Sequence, residues 1–545
     1  MMKPGILLDV SGLRIEGESG GQWQEIVKGV SFQLDRGEVL GLIGESGAGK
    51  STIGLAALGY ARPGCRFSGG QVRFEGRDLL HMPENELRRL RGMRIAYVAQ
   101  SAAAFFNPAH RLIDQFIEVL AVHGFADHAA AAAKARNLYA RLGLPDPAGF
   151  GQRYPHQVSG GQLQRAMIAM AMAGDPDLIV FDEPTTALDV TTQVGVLAAV
   201  RSAVRGSKTA ALYITHDLAV VAQVADRIMV LRHGQTVEEA ETQSLLHAPG
   251  QEYTRRLLAS DPVIRPERAA ECHLLEIDNL SASYGARRVL DAISIRVPKA
   301  RTMAIVGESG SGKSTLARVI TGLLAPDTGT LCLDGTVLAG GVDQRDRETL
   351  RRIQLIHQMP DTALNPRQKV SEILGRPLMF YKGIKSEAAA AQVAHLLEQV
   401  ELSPALGDRF PGELSGGQKQ RVCIARAISA DPDLIICDEV TSGLDPLVAE
   451  GILDLLSTMQ KQSGKTYLFI THDLKIVAAI ADTVVVMKNG EVIEQNGRDA
   501  VLKNPLSSYT ERLIESVPQM NSGWLDALIA REGADARNPE DRRFP

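Results

Sequence analysis

Lysine, serine and paired acids recur in this sequence at spacings that suit phosphate chemistry. Gly44, Glu45, Ser46, Gly47, Ala48, Gly49, Lys50 and Ser51, followed by Thr52, spell G-x-x-x-x-G-K-S. Gly307, Glu308, Ser309, Gly310, Ser311, Gly312, Lys313 and Ser314, followed by Thr315, spell it again. In this pattern the glycines let backbone N–H groups close on phosphate oxygens, and the lysine meets the β- and γ-phosphates. The serine hydroxyl is a ligand for Mg²⁺. A glycine-rich turn alone needs no ligand. Here each copy follows an apolar run ending at glycine, VLGLIG or TMAIVG, and precedes a helix-forming stretch, the context in which a helix N-terminus adds partial positive charge. Further along, LIVFDE and LIICDE place Asp182 and Asp438 at the end of an apolar strand, where a carboxylate completes the Mg²⁺ shell through water. Glu183 and Glu439 come one residue later, positioned to polarise an attacking water. Bare acid pairs at strand ends are commonly only solvated, but the phosphate loops precede these twice in the same order.

Positioning such groups takes a folded domain, and the chain carries two. The phosphate loops are offset by 263 residues. VSGGQLQR and LSGGQKQR, LIVFDEPTTALD and LIICDEVTSGLD, and ITHDL twice, are each offset by 256. A fixed order of motifs repeated in this way marks duplication. The drop in offset gives the first copy seven more residues between its first and second motifs. VLGLIG, LIVFDE and AALYIT, with their counterparts TMAIVG, LIICDE and TYLFIT, read as buried parallel strands alternating with helices, an α/β core. The Ala-rich stretch at 126–143 is strongly helix-forming and predicts an inserted helical subdomain. The domain boundaries are then residues 1–258 for a first domain with a C-terminal extension, 259–272 for a linker, 273–518 for a second domain with its extension, and 519–545 for a charged tail, frayed or partner-dependent.

Composition narrows the setting. Hydrophobic residues make up 45% and charged residues 23% of the 545, ordinary for globular chains and incompatible with disorder over most of the length. Fifty-nine basic against 64 acidic residues give a net charge of -5, which argues against nucleic acid as main partner. The arginines of ENELRRLRGMR (84–94) then read as a solvated helix face. Five scattered cysteines without a Cys-x-x-Cys pair point to a reducing compartment and away from zinc or disulfide frameworks. The N-terminal MMKPGILLDV lacks a signal-peptide core, and no run approaches the ~20 apolar residues of a membrane span. The expectation is a soluble, cytosolic chain.

With SGGQ at Ser159, Gly160, Gly161 and Gln162, and again at Ser415, Gly416, Gly417 and Gln418, these motifs resemble the ATP-binding cassette (ABC) ATPases over nearly the whole chain. Each SGGQ begins 23 residues before the Walker B aspartate. The resemblance implies two tandem P-loop NTPase domains. Each would have a mainly parallel sheet core, an N-terminal antiparallel β region and an inserted helical subdomain. It implies ATP and Mg²⁺ as ligands, with each ATP held between one phosphate loop and the other domain's signature loop. One site would join Lys50, Asp182, Glu183 and His216 to Ser415 and Gly417; the other would join Lys313, Asp438, Glu439 and His472 to Ser159 and Gly161. His216 and His472, each 34 residues after the Walker B aspartate, match the family's switch histidine. Gln100 and Gln358 match its Q-loop glutamine, which touches Mg²⁺ and the attacking water. The ALD at 187–189 and GLD at 443–445 match the loop that couples the sites. Tyr284 is placed to stack on adenine, whereas the first copy aligns Glu16 and Gly17 there, with Trp23 either a substitute or simply a core or surface tryptophan. Val440 stands where the first copy has Pro184, a change in loop stiffness rather than chemistry.

QSAAAFFNP (100–108) and QMPDTALNP (358–366) resemble the segment after the Q-loop in ATPases of oligopeptide, dipeptide and nickel importers. HAPGQEYTRRLLASDP (247–262) and NPLSSYTERLIESVP (504–518) resemble the short C-terminal extension of that subfamily. Some members carry an iron–sulfur cluster in the extension; no cysteine lies in it here, so none is expected. The resemblance thus implies the ATP-hydrolysing energy subunit of a bacterial importer for peptides or similar small solutes, with both ATPases fused in one chain. Its partners would be two transmembrane permease subunits and, through them, a periplasmic solute-binding protein. It would sit peripherally on the cytoplasmic side of the inner membrane, meeting the membrane only through the permeases. Soluble twin-cassette translation factors have a long charged linker, and ribosome-recycling and DNA-repair forms have cysteine clusters; neither feature occurs here. The remaining alternative is an accessory ABC ATPase of a non-transport complex such as phosphonate degradation.

Overall fold

The apolar runs VLGLIG, LIVFD and AALYI are fully buried strands, Val39–Gly44, Leu178–Asp182 and Ala210–Ile214, paired in parallel. Aliphatic residues without polar alternation suit strands covered on both faces. The computed structural model describes residues 5–19, 21–186, 188–205, 208–259, 266–268, 272–384 and 386–535. The chain divides into two compact units, Met1–Ser260 with Pro518–Pro545, and Asp261–Val517.

In the first unit the six-stranded sheet runs Gln235–Glu241, Arg227–Arg232, Val39–Gly44, Ala210–Ile214, Leu178–Asp182, Ile95–Val98. Only the edge pair Gln235–Glu241 with Arg227–Arg232 is antiparallel. Beside it lies a four-stranded antiparallel sheet in the order Gln22–Asp35, Ile6–Ser19, Cys65–Phe74, Arg77–Asp78. The two sheets share one apolar core with the helix Lys50–Ala56, in which Leu13, Val27, Ile53, Phe74, Leu212 and Leu231 are buried.

The second unit repeats this order: Glu491–Gly497, Thr483–Lys488, Thr302–Val306, Thr466–Ile470, Leu434–Asp438, Ile353–Ile356, and an antiparallel sheet Arg287–Pro298, His273–Tyr284, Thr328–Leu333, Thr336–Val337. The expected mainly parallel core and antiparallel N-terminal region are therefore present in both units.

The helical insertions are present too. Residues 128–141 form the Ala-rich helix His128–Arg141, capped by Asp127, whose side chain accepts from Ala130 N–H at 2.9 Å. Its buried Tyr139 meets Phe116 and Phe150 edge-on, at 6.1 and 5.2 Å between ring centroids, fixing the helix against Leu112–Val122. Val370–Lys382 and Ser386–Gln399 are the counterparts in the second unit.

The segment after Pro518 departs from the sequence expectation. Instead of fraying, residues through 535 belong to the first unit, where the helix Trp524–Asp535 packs on Val190–Val204. Trp524 and Leu525 are buried. Gln223, 3% exposed, donates its side-chain amide to the carbonyls of Gln519 (2.7 Å) and Asn521 (2.8 Å) and accepts from Leu525 N–H (3.2 Å). Asp526 pairs with the buried Arg201 at 2.6 Å. The terminal RNPEDRRFP (537–545), whose charges and prolines suggested fraying, lies outside the described residues. So does most of the linker read at 259–272; within it, Arg268 clamps Asp482 with guanidinium contacts of 2.9 and 3.1 Å and reaches Gln460 at 2.8 Å.

Candidate nucleotide site

Each phosphate loop joins a central strand to a helix. Gly44 has φ +147°, and a Cβ there would stand 2.0 Å from the Leu231 carbonyl oxygen; Gly307 has the same φ, with the Met487 oxygen at 2.1 Å. Only glycine permits the chain to turn this close to the neighbouring strand. Ser46 and Gly47 at the tip are exposed, Glu45 is half-buried, and Ala48 and Gly49 are buried under it; Ser309, Gly310, Glu308, Ser311 and Gly312 repeat this profile. The half-buried Thr52 and Thr315 lie in the first turn of the following helices.

The Lys50 ammonium, 6% exposed, donates to the carbonyls of Gly44 (2.7 Å) and Glu45 (2.9 Å), spanning the loop. Lys313 does the same to Gly307 and Glu308, both at 2.7 Å, and reaches Ser311 Oγ at 3.4 Å. Ser51 Oγ donates to Asp182 Oδ1 at 2.7 Å, and Ser314 Oγ to Asp438 Oδ1 at 3.0 Å. The two groups expected to meet Mg²⁺ are thus in contact in each unit. One hydroxyl and one carboxylate are hard oxygen ligands that leave most of an octahedral shell to phosphate and water, as Mg²⁺ prefers. Among the described residues no cluster of three or more His, Cys, Asp or Glu offers an all-protein cage instead. The residues present therefore fit a Mg²⁺–nucleotide complex.

A second chain of contacts runs through the acid next in sequence. Glu183 Oε2 accepts from Gln100 Nε2 and Thr186 Oγ1, both at 3.0 Å, while Oε1 stands 3.5 Å from His216 Nδ1. Glu439 accepts from Gln358 Nε2 at 2.5 Å and stands 3.4 Å from His472 Nδ1. Glu183 and Glu439 have φ of +48° and +50°, left-handed values that a side chain adopts at a cost of order 1–3 kcal/mol. The fold spends that strain on aiming the carboxylate. Burial, the largest single influence, would push the Glu183 carboxyl up, but His216, the Thr186 hydroxyl and the Lys50 charge together outweigh it and hold it below the usual carboxylate range. Burial would push His216 down, and the Glu183 hydrogen bond and charge raise it instead; His472 is raised by Glu439 against burial in the same way. In both pairs the contact thus favours the charged histidine. Asp438 is pushed up by burial, with Ser314's hydroxyl opposing.

The signature loops are built differently. Ser159 caps the helix Gly160–Ala171 and Ser415 caps Gly416–Ser429, each in a reciprocal capping box with Gln162 or Gln418. A Cβ on Gly161 would stand 1.9 Å from Thr192, and one on Gly417 2.7 Å from Val448, so the loop lies tight against the next helix. Within each unit, these contacts tie the loop to that helix and not to the lysine. Gln164, on the same helix, donates to the Ala99 carbonyl at 3.2 Å and so braces Gln100. Asp189 and Asp445 of the coupling-loop motifs are buried N-caps, accepting from Thr192 N–H (2.9 Å) and Val448 N–H (3.0 Å). Ala187 lies outside the described residues.

Tyr284 is 43% exposed, and its hydroxyl accepts from Arg318 on the helix after the second phosphate loop, at 3.0 Å. Trp23, at the tip of the equivalent hairpin, carries the Arg66 guanidinium 4.1 Å from its ring centroid. Removing the exposed Tyr284 ring should weaken nucleotide binding at the second loop by about 1–3 kcal/mol, by analogy with base–aromatic stacking. Nucleotide titration of Tyr284→Ala and Trp23→Ala checks this; unchanged affinity in both would sink the stacking role.

Three contacts were not read from the sequence. Thr186 steadies Glu183. Tyr509 of the second extension accepts from Glu308 N–H in the phosphate loop at 3.1 Å, under Lys488 at 4.6 Å from its ring. Tyr97 donates to Asp182 Oδ2 at 2.6 Å. The repeated Tyr-Thr of the extensions was a signal for the second; the strand position of Tyr97 hid the third.

The ABC transporter family model matches residues 27–186 and 290–442. The model for the oligopeptide/dipeptide transporter C-terminal region matches 237–283 and 493–542, the latter running into the segment that packs on the first unit. The glutathione import ATP-binding protein GsiA of Salmonella typhimurium (strain LT2) is 35% identical over 561 residues, covering 94% of this chain and 89% of that one. An uncharacterized ABC transporter ATP-binding protein of Escherichia coli K12, YejF, is 38% identical over 507 residues, covering 90% and 95%. The peptidoglycan transport ATP-binding protein YejF of Agrobacterium fabrum is 36% identical over 525 residues, covering 93% and 96%.

Proposed function

The chain belongs to the ABC transporter family as an ATP-hydrolysing subunit with two cassettes, and we propose that it powers an importer for peptides or similar small solutes. Its partners are membrane permeases, and it reaches the membrane through them; among the described residues no helix is long and apolar enough to cross one. On this reading the permeases receive solute from a periplasmic binding protein, and the chain docks on the cytoplasmic face of the bacterial inner membrane. One observation carries the ATPase reading above the rest. Each unit carries a lysine bonded across its phosphate loop, a serine–aspartate contact at the loop's end and a glutamine–glutamate–histidine set starting at the next residue after that aspartate. The importer class rests on the second family match and on relatives named for glutathione and peptidoglycan transport that this chain matches along nearly their full length.

The proposed chemistry derives from these placements. The loop N–H groups and Lys50 or Lys313 hold the β- and γ-phosphates. Ser51 with Asp182, and Ser314 with Asp438, would hold Mg²⁺, with Gln100 and Gln358 alongside; when bound it supplies neutralisation of phosphate charge. A water oxygen bonds to the γ-phosphorus as the bond to the β,γ-bridging oxygen breaks. Glu183 or Glu439 orients that water and takes its proton, and the lysine stabilises the charge that develops on the departing ADP. His216 and His472, whose charged form the neighbouring glutamates favour, face the γ-phosphate.

The test is co-purification of the full chain with permeases encoded beside it, followed by hydrolysis assays in liposomes with a peptide mixture and the binding protein. Co-elution and peptide-stimulated turnover are expected. Stable attachment of the chain alone to protein-free liposomes would overturn the permease-dependent reading, and absence of solute stimulation would overturn the importer reading.

A further inference from the structure

Asp182 and Asp438 occupy equivalent strand ends, yet their surroundings differ. Asp182 is bonded on both oxygens: Ser51 Oγ donates to Oδ1 at 2.7 Å and the Tyr97 hydroxyl donates to Oδ2 at 2.6 Å. Tyr97 is itself fixed, because its strand Ile95–Val98 pairs in parallel with Leu178–Asp182, setting Tyr97 opposite Val180. Its ring packs on the core of the first unit, so only the hydroxyl end is polar and it ends at the carboxylate.

In the second unit the same register sets Leu355 opposite Ile436. Leucine has no donor. Asp438 Oδ1 accepts from Ser314 Oγ at 3.0 Å, and among the described residues no hydrogen bond reaches its other oxygen. Asp182 is also the more enclosed, at 3% exposure, where Asp438 is half-buried.

We infer that Tyr97 is a positioning residue for the metal carboxylate of the first cassette, and that the two cassettes consequently differ in the Mg²⁺ concentration at which they bind nucleotide. The inference rests on the proposed reading of Asp182 and Asp438 as the Mg²⁺ carboxylates and goes beyond it by making the two sites unequal. Ser51 holds one oxygen with a hydroxyl that the metal itself would engage. Tyr97 holds the other oxygen with a hydroxyl that comes from the neighbouring strand and not from the phosphate loop. With Tyr97 in place, the carboxylate keeps one orientation whatever Ser51 does. Asp438 must be ordered at the moment of binding. Partners of this outer kind typically change metal affinity by about 10–100-fold when removed.

The experiment uses the full chain carrying Glu183→Gln and Glu439→Gln, so that binding is read without turnover. Lys313→Ala silences the second loop and Lys50→Ala the first, leaving one site to report in each background. Trinitrophenyl-ATP fluorescence is titrated with Mg²⁺, and once in EDTA. Half-saturation should fall at lower Mg²⁺ for the first site than for the second. Tyr97→Phe, which keeps the ring, should raise the first site's Mg²⁺ requirement about 10–100-fold while leaving binding in EDTA unchanged. Leu355→Tyr should lower the second site's requirement. Asp182→Asn separates the two layers of the argument. If it leaves the Mg²⁺ requirement unchanged, the reading of Asp182 as metal ligand fails. If it raises the requirement while Tyr97→Phe does not, or if Tyr97→Phe weakens binding equally in EDTA, the positioning role of Tyr97 is overturned.

Discussion

Glu183→Gln should stop turnover at the first cassette while nucleotide still binds, and Glu439→Gln should do the same at the second. Gln has the volume of Glu, and its amide oxygen can still accept from Gln100 and Thr186, the two donors now 3.0 Å from Glu183 Oε2. What disappears is the charge. Loss of a general base typically costs about 10²–10⁴-fold. The structure adds a second loss. His216 is raised by the Glu183 carboxylate, against a burial that lowers it. In Glu183→Gln that support is gone and burial favours the neutral imidazole of His216, so on the proposed mechanism the γ-phosphate would lose cationic character together with the base. The phosphate loop, Lys50 and Ser51 are untouched, so binding persists. Steady-state hydrolysis and retained nucleotide, measured for both single variants and the double variant with permeases present, check this. The double variant should be essentially inactive. If Glu183→Gln abolishes turnover while Glu439→Gln leaves it near wild type, the proposal of two working sites fails and the second cassette becomes a nucleotide clamp.

That constellation could be read from the sequence because its chemistry sits at fixed offsets within each copy. Asp182, Glu183 and His216 are separated by spacings that recur in the second copy, the phosphate loop precedes them in the same order in both, and the apolar runs that carry them are strands whatever their partners are. The spacing did not show how the groups touch. Glu183's left-handed φ arises in the turn after the strand, and its contact with His216 spans two different strand ends. Tyr97 reads as an apolar strand residue in IAYVAQ, and nothing local announces that its hydroxyl ends at Asp182. Ser159 and Gln162 were visible as a motif, while the capping box that shapes the loop depends on backbone geometry. The C-terminal segment is the plainest case. Trp524, Leu525, Leu528 and Ile529 lie at helical spacing, but their partners are some three hundred residues away, so the charges of RNPEDRRFP (537–545) outweigh them as a local signal.

Those distant partners make the C-terminal helix a structural part of the first unit, and Leu525→Ala should show it. Leu525 is 0% exposed, and truncating a buried leucine to alanine typically costs about 2–5 kcal/mol, the lost transfer energy plus the cavity left behind. Its backbone N–H also donates to Gln223 Oε1, and Gln223 in turn feeds the carbonyls of Gln519 and Asn521. Detaching the segment would leave a buried amide without these partners and Arg201, 6% exposed, without Asp526. Unmatched buried groups of this kind cost about 1–3 kcal/mol each, more when charged. Asp526→Ala should cost less than Leu525→Ala, because the Asp526 side chain is 58% exposed and water screens its half of the pair. For a unit of this size each kcal/mol moves the melting temperature by roughly 2–4 °C. Calorimetry of the full chain should therefore show the transition of the first unit displaced downward by several degrees in Leu525→Ala, and by more in a chain ending at Val517, with the second unit's transition in place. A first-unit transition unchanged in the truncated chain would mean that the segment rests on the surface without stabilising it.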